Sequence, residues 1–210
     1  MRVNEAKERQ IEAIFIRHGQ STANAGDWNQ PFAQIALTPL GEHQSELLAA
    51  RWAFTPSLIV VSPFLRTQQT AAPTIARFPE VPVETWPIQE FTYWDIAHWG
   101  GSSPEVEVED VERFWRVGDP DHRRGESETF GQLLGRAEAA LKRLETLQVR
   151  APVLLFSHGH FIQAVRHVAM FPEWTAEEKM LHFRGFDDRA KVRNTQLVTA
   201  KFDGGAWSID

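Results

Sequence analysis

Three short apolar runs punctuate the chain: Ala13-Ile14-Phe15-Ile16, Leu58-Ile59-Val60-Val61 and Val153-Leu154-Leu155-Phe156. Each is nearly uninterrupted, the pattern of a parallel strand buried on both faces rather than of a half-exposed one. Helical periodicity fills the spaces between them. It is clearest over 127–147, where Phe130, Leu133, Leu134, Ala137, Leu141 and Leu144 recur at three- and four-residue spacing. Thr129 and Gln132 are spaced as a capping box for that helix, with Ser127 a competing cap. Further helices are expected over 41–54, after the turn signal Thr38-Pro39-Leu40-Gly41, and over 160–170. The segment 66–78 also reads as helical, with Pro73 expected to kink or split it. At the end of the chain, 195–202 and 206–209 flank Asp203-Gly204-Gly205 and read as a hairpin.

Strands alternating with helices predict an α/β fold. The expected architecture is a three-layer sandwich, a mainly parallel central sheet with helices on both faces and a C-terminal antiparallel hairpin. No repeat or linker divides 11–210, which is expected to form a single domain behind a flexible polar N-terminus at 1–10. One stretch, 86–125, fits neither period. It carries four of the eight tryptophans (Trp86, Trp94, Trp99 and Trp115), the only tyrosine, and an acidic patch from Glu105 to Glu112. It reads as a partly helical excursion over the sheet.

Composition narrows the function classes. The formal net charge of -6 argues against a nucleic-acid partner, which would call for a basic face. The absence of cysteine removes disulfides, thiolate nucleophiles and cysteine-bound zinc. Residues 1–10 lack the apolar core of a signal peptide, and no run approaches the ~18 apolar residues that would suggest a bilayer span. The expectation is a soluble, cytoplasmic protein with no membrane partner.

The chemistry-bearing residues sit where the apolar runs stop. Arg17-His18-Gly19 follows the first, Ser62 and then Arg66 follow the second, and Ser157-His158-Gly159-His160 follows the third. In open α/β sheets ligands bind beyond the carboxyl ends of the strands. If these strands are parallel neighbours, two histidines and two arginines converge on one crevice. Guanidinium forks suit an anionic ligand, above all phosphate oxygens. The start of a helix after His158 would add oriented N–H groups. A neutral imidazole is a competent nucleophile toward phosphorus, and adjacent arginines favour its neutral form. A hydrogen bond from one ring nitrogen would fix the tautomer.

These residues resemble the signature of the histidine phosphatase superfamily, which includes the cofactor-dependent phosphoglycerate mutases. The resemblance rests on Arg17-His18-Gly19-Gln20-Ser21-Thr22-Ala23-Asn24, on Leu37-Thr38-Pro39-Leu40-Gly41 and on the block from Ser62 to Ala71. Gly125-Glu126-Ser127 and Ser157-His158-Gly159 complete it, in the family's order. It implies a phosphatase that hydrolyses phosphate monoesters through a phosphohistidine at His18. Arg17, Arg66 and His158 would hold the phosphoryl oxygens, with Asn24 as a further substrate contact. Glu90, in Trp86-Pro87-Ile88-Gln89-Glu90, would protonate the leaving oxygen. Neither a metal nor a cofactor is implied. The partner is a small phosphorylated substrate, and the excursion at 86–125 would cap the site.

Other readings stay open at this level. A phosphoglycerate mutase is the rival within the family, but Phe91-Thr92-Tyr93-Trp94 lacks the His-Tyr-Gly run expected of mutases. Likewise, Trp115-Arg116-Val117-Gly118 lacks the paired arginines of their lid. A protein-phosphohistidine phosphatase and a non-catalytic module binding phosphorylated ligands are further alternatives. His158 with His160 could be a metal pair, and His160 could be purely structural. Glu84 and Asp95 compete with Glu90 as the acid. The tryptophans could form core or line a leaving-group pocket. Arg113, Arg116, Arg123 and Arg124 could be solvated or could reach a second anionic group.

Overall fold

The computed structural model describes residues 10–93, 104–123 and 125–210, the stretch 104–110 by its backbone alone. The three apolar runs become the centre of a six-stranded sheet. They are β1 (Ile11–Arg17), β2 (Leu58–Val61) and β4 (Val153–Ser157). A short edge strand β3 (Val83–Thr85) joins them, and β5 (Leu197–Phe202) and β6 (Trp207–Ile209) complete the order β3-β2-β4-β1-β5-β6. The pairs β3–β2, β2–β4 and β4–β1 are parallel, whereas β1–β5 and the hairpin β5–β6 are antiparallel.

Successive residues of the central strands face opposite ways and belong to two separate cores. On one face Ala13, Phe15, Leu58, Val60, Val153 and Leu155 pack with the apolar stripes of α4 (Phe130–Thr146), α5 (Gly159–Met170) and α6 (Ala176–Arg189). Phe114 and Trp115 of α3 (Pro104–Val117) join the same core. On the other face Ile14, Ile16, Ile59, Val61, Leu154 and Phe156 meet Leu48 of α1 (Pro39–Ala50), Trp52 after it, and Ala71 of α2 (Leu65–Arg77). Burial on both faces explains why these strands carry no polar alternation. The expected α/β sandwich is the fold observed.

The helix ends follow their sequence signals, with some shifts. Thr129 is the N-cap of α4: its Oγ1 accepts from Gln132 N at 3.1 Å while Gln132 Oε1 accepts from Thr129 N at 3.0 Å. Thr38 is not part of a turn before a helix but the cap itself, accepting from Gly41 N, with Pro39 in the first helical position. Helix α1 ends at Ala50, short of Phe54, because Arg77 of α2 donates to the carbonyls of Ala49, Ala50 and Trp52. Pro73 does not split α2, which runs unbroken through it. Packing holds the helix together there: Thr70, Ala71 and Thr74 are fully buried, and Thr74 accepts from Trp52 Nε1 at 3.0 Å.

Two elements have weaker sequence signals. Strand β3 is an edge of three residues with Val83 largely exposed, too short for either period to register. Helix α6 buries only Lys179, Met180, Phe183 and Asp187. It starts at a capping box formed by Thr175 and Glu178. Strand β5 begins at Leu197 rather than Thr195, since Thr195 adopts φ 55. Within 86–125, α3 supplies the helical part. Trp94, Asp95, Trp99 and Arg124 lie outside the described residues, as does the N-terminal segment 1–9.

One contact fixes the loop after β1 against the start of α1. A Cβ at Gly41 would lie 2.0 Å from the Gln20 carbonyl oxygen, and one at Gly19 would lie 2.6 Å from the Gly41 carbonyl oxygen. By contrast, a Cβ on exposed Gly135 of α4 meets nothing within 4 Å. Gly41→Ala is therefore expected to destabilise the fold by about 3 kcal/mol. Gly135→Ala should stabilise it by about 0.5–1 kcal/mol through helix propensity. Urea denaturation of the two variants checks this. A Gly41→Ala protein as stable as the parent would show that the approach of the two backbones is not tight.

Candidate active site

The parallel strands deliver their following residues to one end of the sheet. Arg17 pairs in register with Ser157, and Val61 with Phe156, so the loops carrying His18, Ser62 and His158 are neighbours. The imidazoles of His18 and His158 stand 5.2 Å apart between ring centroids, at 60° to each other. Arg66 enters from the first turn of α2, and Glu90 from the segment after β3. The residues expected to converge from 17 to 158 do so.

His18 is buried and bonded at both nitrogens. Its Nδ1 lies 2.7 Å from the Gly19 carbonyl oxygen, and its Nε2 lies 3.3 Å from Arg66 Nε. A carbonyl can only accept and a guanidinium can only donate. The ring is therefore the Nδ1–H tautomer, with the Nε2 lone pair turned toward Arg66. Burial, reinforced by the charges of Arg66 and Arg17, holds its pKa well below the ordinary 6.5, against the opposing Gly19 bond. The loop is tied down on both sides: Gly19 N donates to Thr70 Oγ1 at 3.0 Å, and Gln20 N to Gln44 Oε1 at 2.8 Å.

The two arginines are set for an anion. Arg17 Nη1 donates to the Val192 carbonyl at 2.6 Å, while its Nε is buried with no hydrogen-bond partner. Arg66 is 3% exposed and donates from Nη1 to the Phe32 carbonyl at 2.8 Å. The Phe32 and Phe64 rings cover it, at 4.8 and 5.0 Å from the guanidinium carbon. Burial, with the nearby charge of Arg17, brings Arg66 down to about 10 despite Glu90. It remains charged at neutral pH.

His158 is completely buried at the N-cap of α5. Ser62 Oγ lies 2.8 Å from its Nε2 and accepts from Phe64 N at 3.3 Å. Among the described residues Nε2 is the one acceptor in reach of the Ser62 hydroxyl proton, so the hydroxyl donates to it. The remaining nitrogen, Nδ1, then carries a hydrogen, and it is buried without a partner. Burial and the charge of Arg66 hold the His158 pKa well below 6.5 too. Two buried donors without partners, Arg17 Nε and His158 Nδ1, thus accompany a neutral His18. Unsatisfied buried donors of this kind are rare and point to a ligand.

Glu90 sits at the start of α5. Its Oε1 accepts from Phe91 N and from His160 N, both at 3.0 Å. Of its competitors, Glu84 is turned away, with Oε2 2.7 Å from both Trp86 Nε1 and Arg143 Nη2. Asp95 lies outside the described residues. Asn24 is exposed, and its Oδ1 accepts from Ser21 N at 3.2 Å and from Asn194 Nδ2 at 3.1 Å. Those two donors define its amide orientation and leave the amide nitrogen as the outward end.

His160 does not pair with His158. Its Nε2 lies 3.7 Å from Asp187 Oδ2 and its Nδ1 3.9 Å from Glu90 Oε1. Burial lowers its pKa, but Asp187 and the charge of Glu90 outweigh that and raise it overall. Burial likewise pushes Asp187 up, yet its bonds with His160 and Gln163 hold it at about 2. Among the described residues no group of three or more His, Asp or Glu side chains could hold a metal ion. Trp86 and Trp115 are core residues, at 1% and 6% exposure. Arg113, Arg116 and Arg123 are solvent-exposed.

Sequence reasoning did not single out Asn194. Its Nδ2 donates to the His18 carbonyl at 2.9 Å as well as to Asn24, and it precedes Thr195, whose positive φ is costly for a β-branched residue. Thr195 N in turn donates to the Arg17 carbonyl at 2.9 Å. The only signal was an Asn-Thr pair just ahead of an apolar strand. Among the described residues no helix is long and apolar enough to cross a membrane.

The chain resembles proteins of known name along most of its length. It is 30% identical over 151 residues to "Probable phosphoglycerate mutase GpmB" of Photorhabdus laumondii, covering 71% of this chain and 70% of that protein. A relative of the same name in Yersinia enterocolitica is 25% identical, with coverages of 94% and 87%. The fold matches the alpha-ribazole phosphatase of Shigella flexneri at TM-score 0.73 and 21% identity, over 95% of each chain. It also matches a mycobacterial glucosyl-3-phosphoglycerate phosphatase at TM-score 0.73 and 20% identity, over 95% of this chain and 97% of the other. The model of the histidine phosphatase superfamily (branch 1) matches residues 13–210. With its sheet, its two histidines and its two arginines in place, the chain belongs to the histidine phosphatase superfamily.

Proposed function

We propose that this protein is a phosphatase that hydrolyses small phosphate monoesters through a covalent phosphohistidine at His18. The observation that carries the reading is a neutral His18, its Nδ1 tied to Gly19, beside two buried donors that have no partner. In the first step Arg66 Nε–H turns from Nε2 to a phosphoryl oxygen, and the freed Nε2 lone pair attacks phosphorus in line with the ester oxygen. The N–P bond forms as the P–O bond breaks, and Glu90 gives a proton to the departing oxygen. Oε1 of Glu90 is occupied by two N–H groups, so Oε2 carries that proton. Arg17, Arg66 and His158 Nδ1–H stabilise the charge on the phosphoryl oxygens, with the outward amide of Asn24 as a further contact. In the second step Glu90, now a carboxylate, takes a proton from water as its oxygen attacks phosphorus. The N–P bond breaks, and His18 returns neutral with its lone pair restored.

The two fold neighbours are named as phosphatases of small phosphorylated molecules, which supports a substrate of that class. The names of the two curated relatives favour a second reading, a phosphoglycerate mutase. In that case the phosphoenzyme would return its phosphoryl group to a bound phosphoglycerate instead of to water. Supplying 3-phosphoglycerate with its bisphosphate primer separates the readings. The phosphatase reading predicts release of inorganic phosphate, and formation of the 2-isomer without phosphate would replace it.

Two further outcomes test the site. In excess chelator the protein should hydrolyse a chromogenic aryl phosphate and be inhibited by vanadate. His18→Ala should lose at least about a thousandfold, as expected for removal of a nucleophile. Activity surviving that substitution, or abolished by chelator, would overturn the mechanism. Because burial and the arginines hold both pKa values well below the ordinary imidazole value, His18 and His158 should stay uncharged as pH falls through about 6.5. Histidine-selective NMR reads this directly, and titration of either ring near the ordinary value of about 6.5 would contradict it.

A further inference from the structure

Glu90 stands in a segment with no regular secondary structure to hold it, between β3 and the undescribed residues that begin at 94. Its neighbours are nonetheless fixed one by one. Arg136, on α4, donates from Nη1 to the carbonyls of Pro87 at 2.8 Å and Gln89 at 3.0 Å. Ser157 Oγ donates to the carbonyl between them, that of Ile88, at 2.6 Å. On the far side of Glu90, Glu128 N donates to the Thr92 carbonyl at 2.9 Å, and Glu128 Oε2 accepts from Thr92 N at 3.3 Å.

One ion pair joins the two sides. Arg136 Nε meets Glu128 Oε1 at 2.6 Å and Nη2 meets Oε2 at 2.8 Å, a two-point contact with both side chains mostly buried. The guanidinium carbon lies 5.2 Å from the centre of the Phe161 ring, which restrains its plane. All three nitrogens of the fork are engaged, Nε and Nη2 on the carboxylate and Nη1 on backbone carbonyls. A lysine, with a point charge on a flexible stem, could not serve these acceptors together.

We propose that Arg136, together with Glu128, is a positioning residue for the reaction, clamping residues 87–92 so that the Glu90 carboxyl meets the leaving oxygen. This rests on the reading of Glu90 as the proton donor. Arg136 touches no reacting atom in that scheme and acts through the backbone that carries Glu90. Misplacement of a proton donor harms only those substrates whose leaving oxygen needs the proton. A 2,4-dinitrophenolate departs without one, whereas the alkoxide of glycerol 2-phosphate does not. The ratio of kcat/KM for these two substrates reports the donor's placement, because kcat/KM ends at departure of the leaving group and omits hydrolysis of the phosphoenzyme.

The test compares parent, Arg136→Gln, Arg136→Lys and Glu90→Gln on both substrates. Arg136→Gln should lower kcat/KM for glycerol 2-phosphate about 100-fold, within the range of general acid catalysis, and that for 2,4-dinitrophenyl phosphate less than about threefold. Arg136→Lys should show the same selectivity, since charge alone does not restore the fork. If Arg136→Gln fails to fold, Glu128→Gln reads the same ratio, with an alkyl-selective loss of about tenfold expected from a weakened pair. Equal losses on both substrates, or none on either, would overturn the clamp. A Glu90→Gln protein without the selectivity would instead overturn the assignment of Glu90 on which the clamp depends.

Discussion

The short hydrogen bond from His18 Nδ1 to the carbonyl of its own neighbour Gly19 is the interaction on which the rest of the site depends. Without it, a buried imidazole could present either nitrogen to the crevice. With it, Nε2 is the lone-pair end, and the arginine at 3.3 Å from that atom forbids a proton there. Burial does the larger part of keeping the ring neutral, and the guanidiniums of Arg66 and Arg17 add to it. The same positive charges that suit a phosphate dianion therefore keep its attacker reactive before the dianion arrives. His158 repeats the logic with a different outcome, since its Nε2 is bonded to Ser62 and its Nδ1 is left as a donor.

Holding that arrangement needs rigidity from elements that take no part in chemistry. The loop after β1 passes so close to α1 that only glycine fits at both Gly19 and Gly41. Thr70 links the same loop to α2, through bonds to Gly19 N and the Arg66 carbonyl, so the nucleophile and its arginine are fixed to one helix. From the other side, Asn194 and the left-handed Thr195 bind the carbonyls of His18 and Arg17. A strained conformation of this kind persists only where the surroundings determine it, and here they lie against the nucleophile loop. The neutral histidines carry their own cost. Their burial leaves the fold to be stabilised by the two apolar cores that sandwich the sheet.

What was legible in the sequence shared one property, a local physical cause. The runs at 13–16, 58–61 and 153–156 announced buried parallel strands because both faces are covered. The polar residues directly after them announced a site because parallel strands bring their ends together. The capping box at Thr129 and Gln132 was local in the same sense. What stayed hidden depends on distant partners. Pro73 could be expected to break α2, and only the packing of Thr70, Ala71 and Thr74, with the bond from Trp52, shows why it does not. Asn194 reaches a residue 176 positions away, and Arg136 grips a segment nearly 50 positions before it. Neither belongs to a motif that spacing reveals. Helix α6, polar along most of its length, owes its existence to the few side chains it buries.

The central claim is that His18 attacks phosphorus through Nε2, because Nδ1 is committed to Gly19. Its most direct test is to mix the protein with an activated aryl phosphate and quench in alkali within the first turnover. The phosphorylated peptide is then located by mass spectrometry and its linkage identified by phosphorus NMR. The account predicts phosphoryl on His18, bonded to Nε2. Phosphoryl on Nδ1, on another residue, or on no residue at all would contradict it.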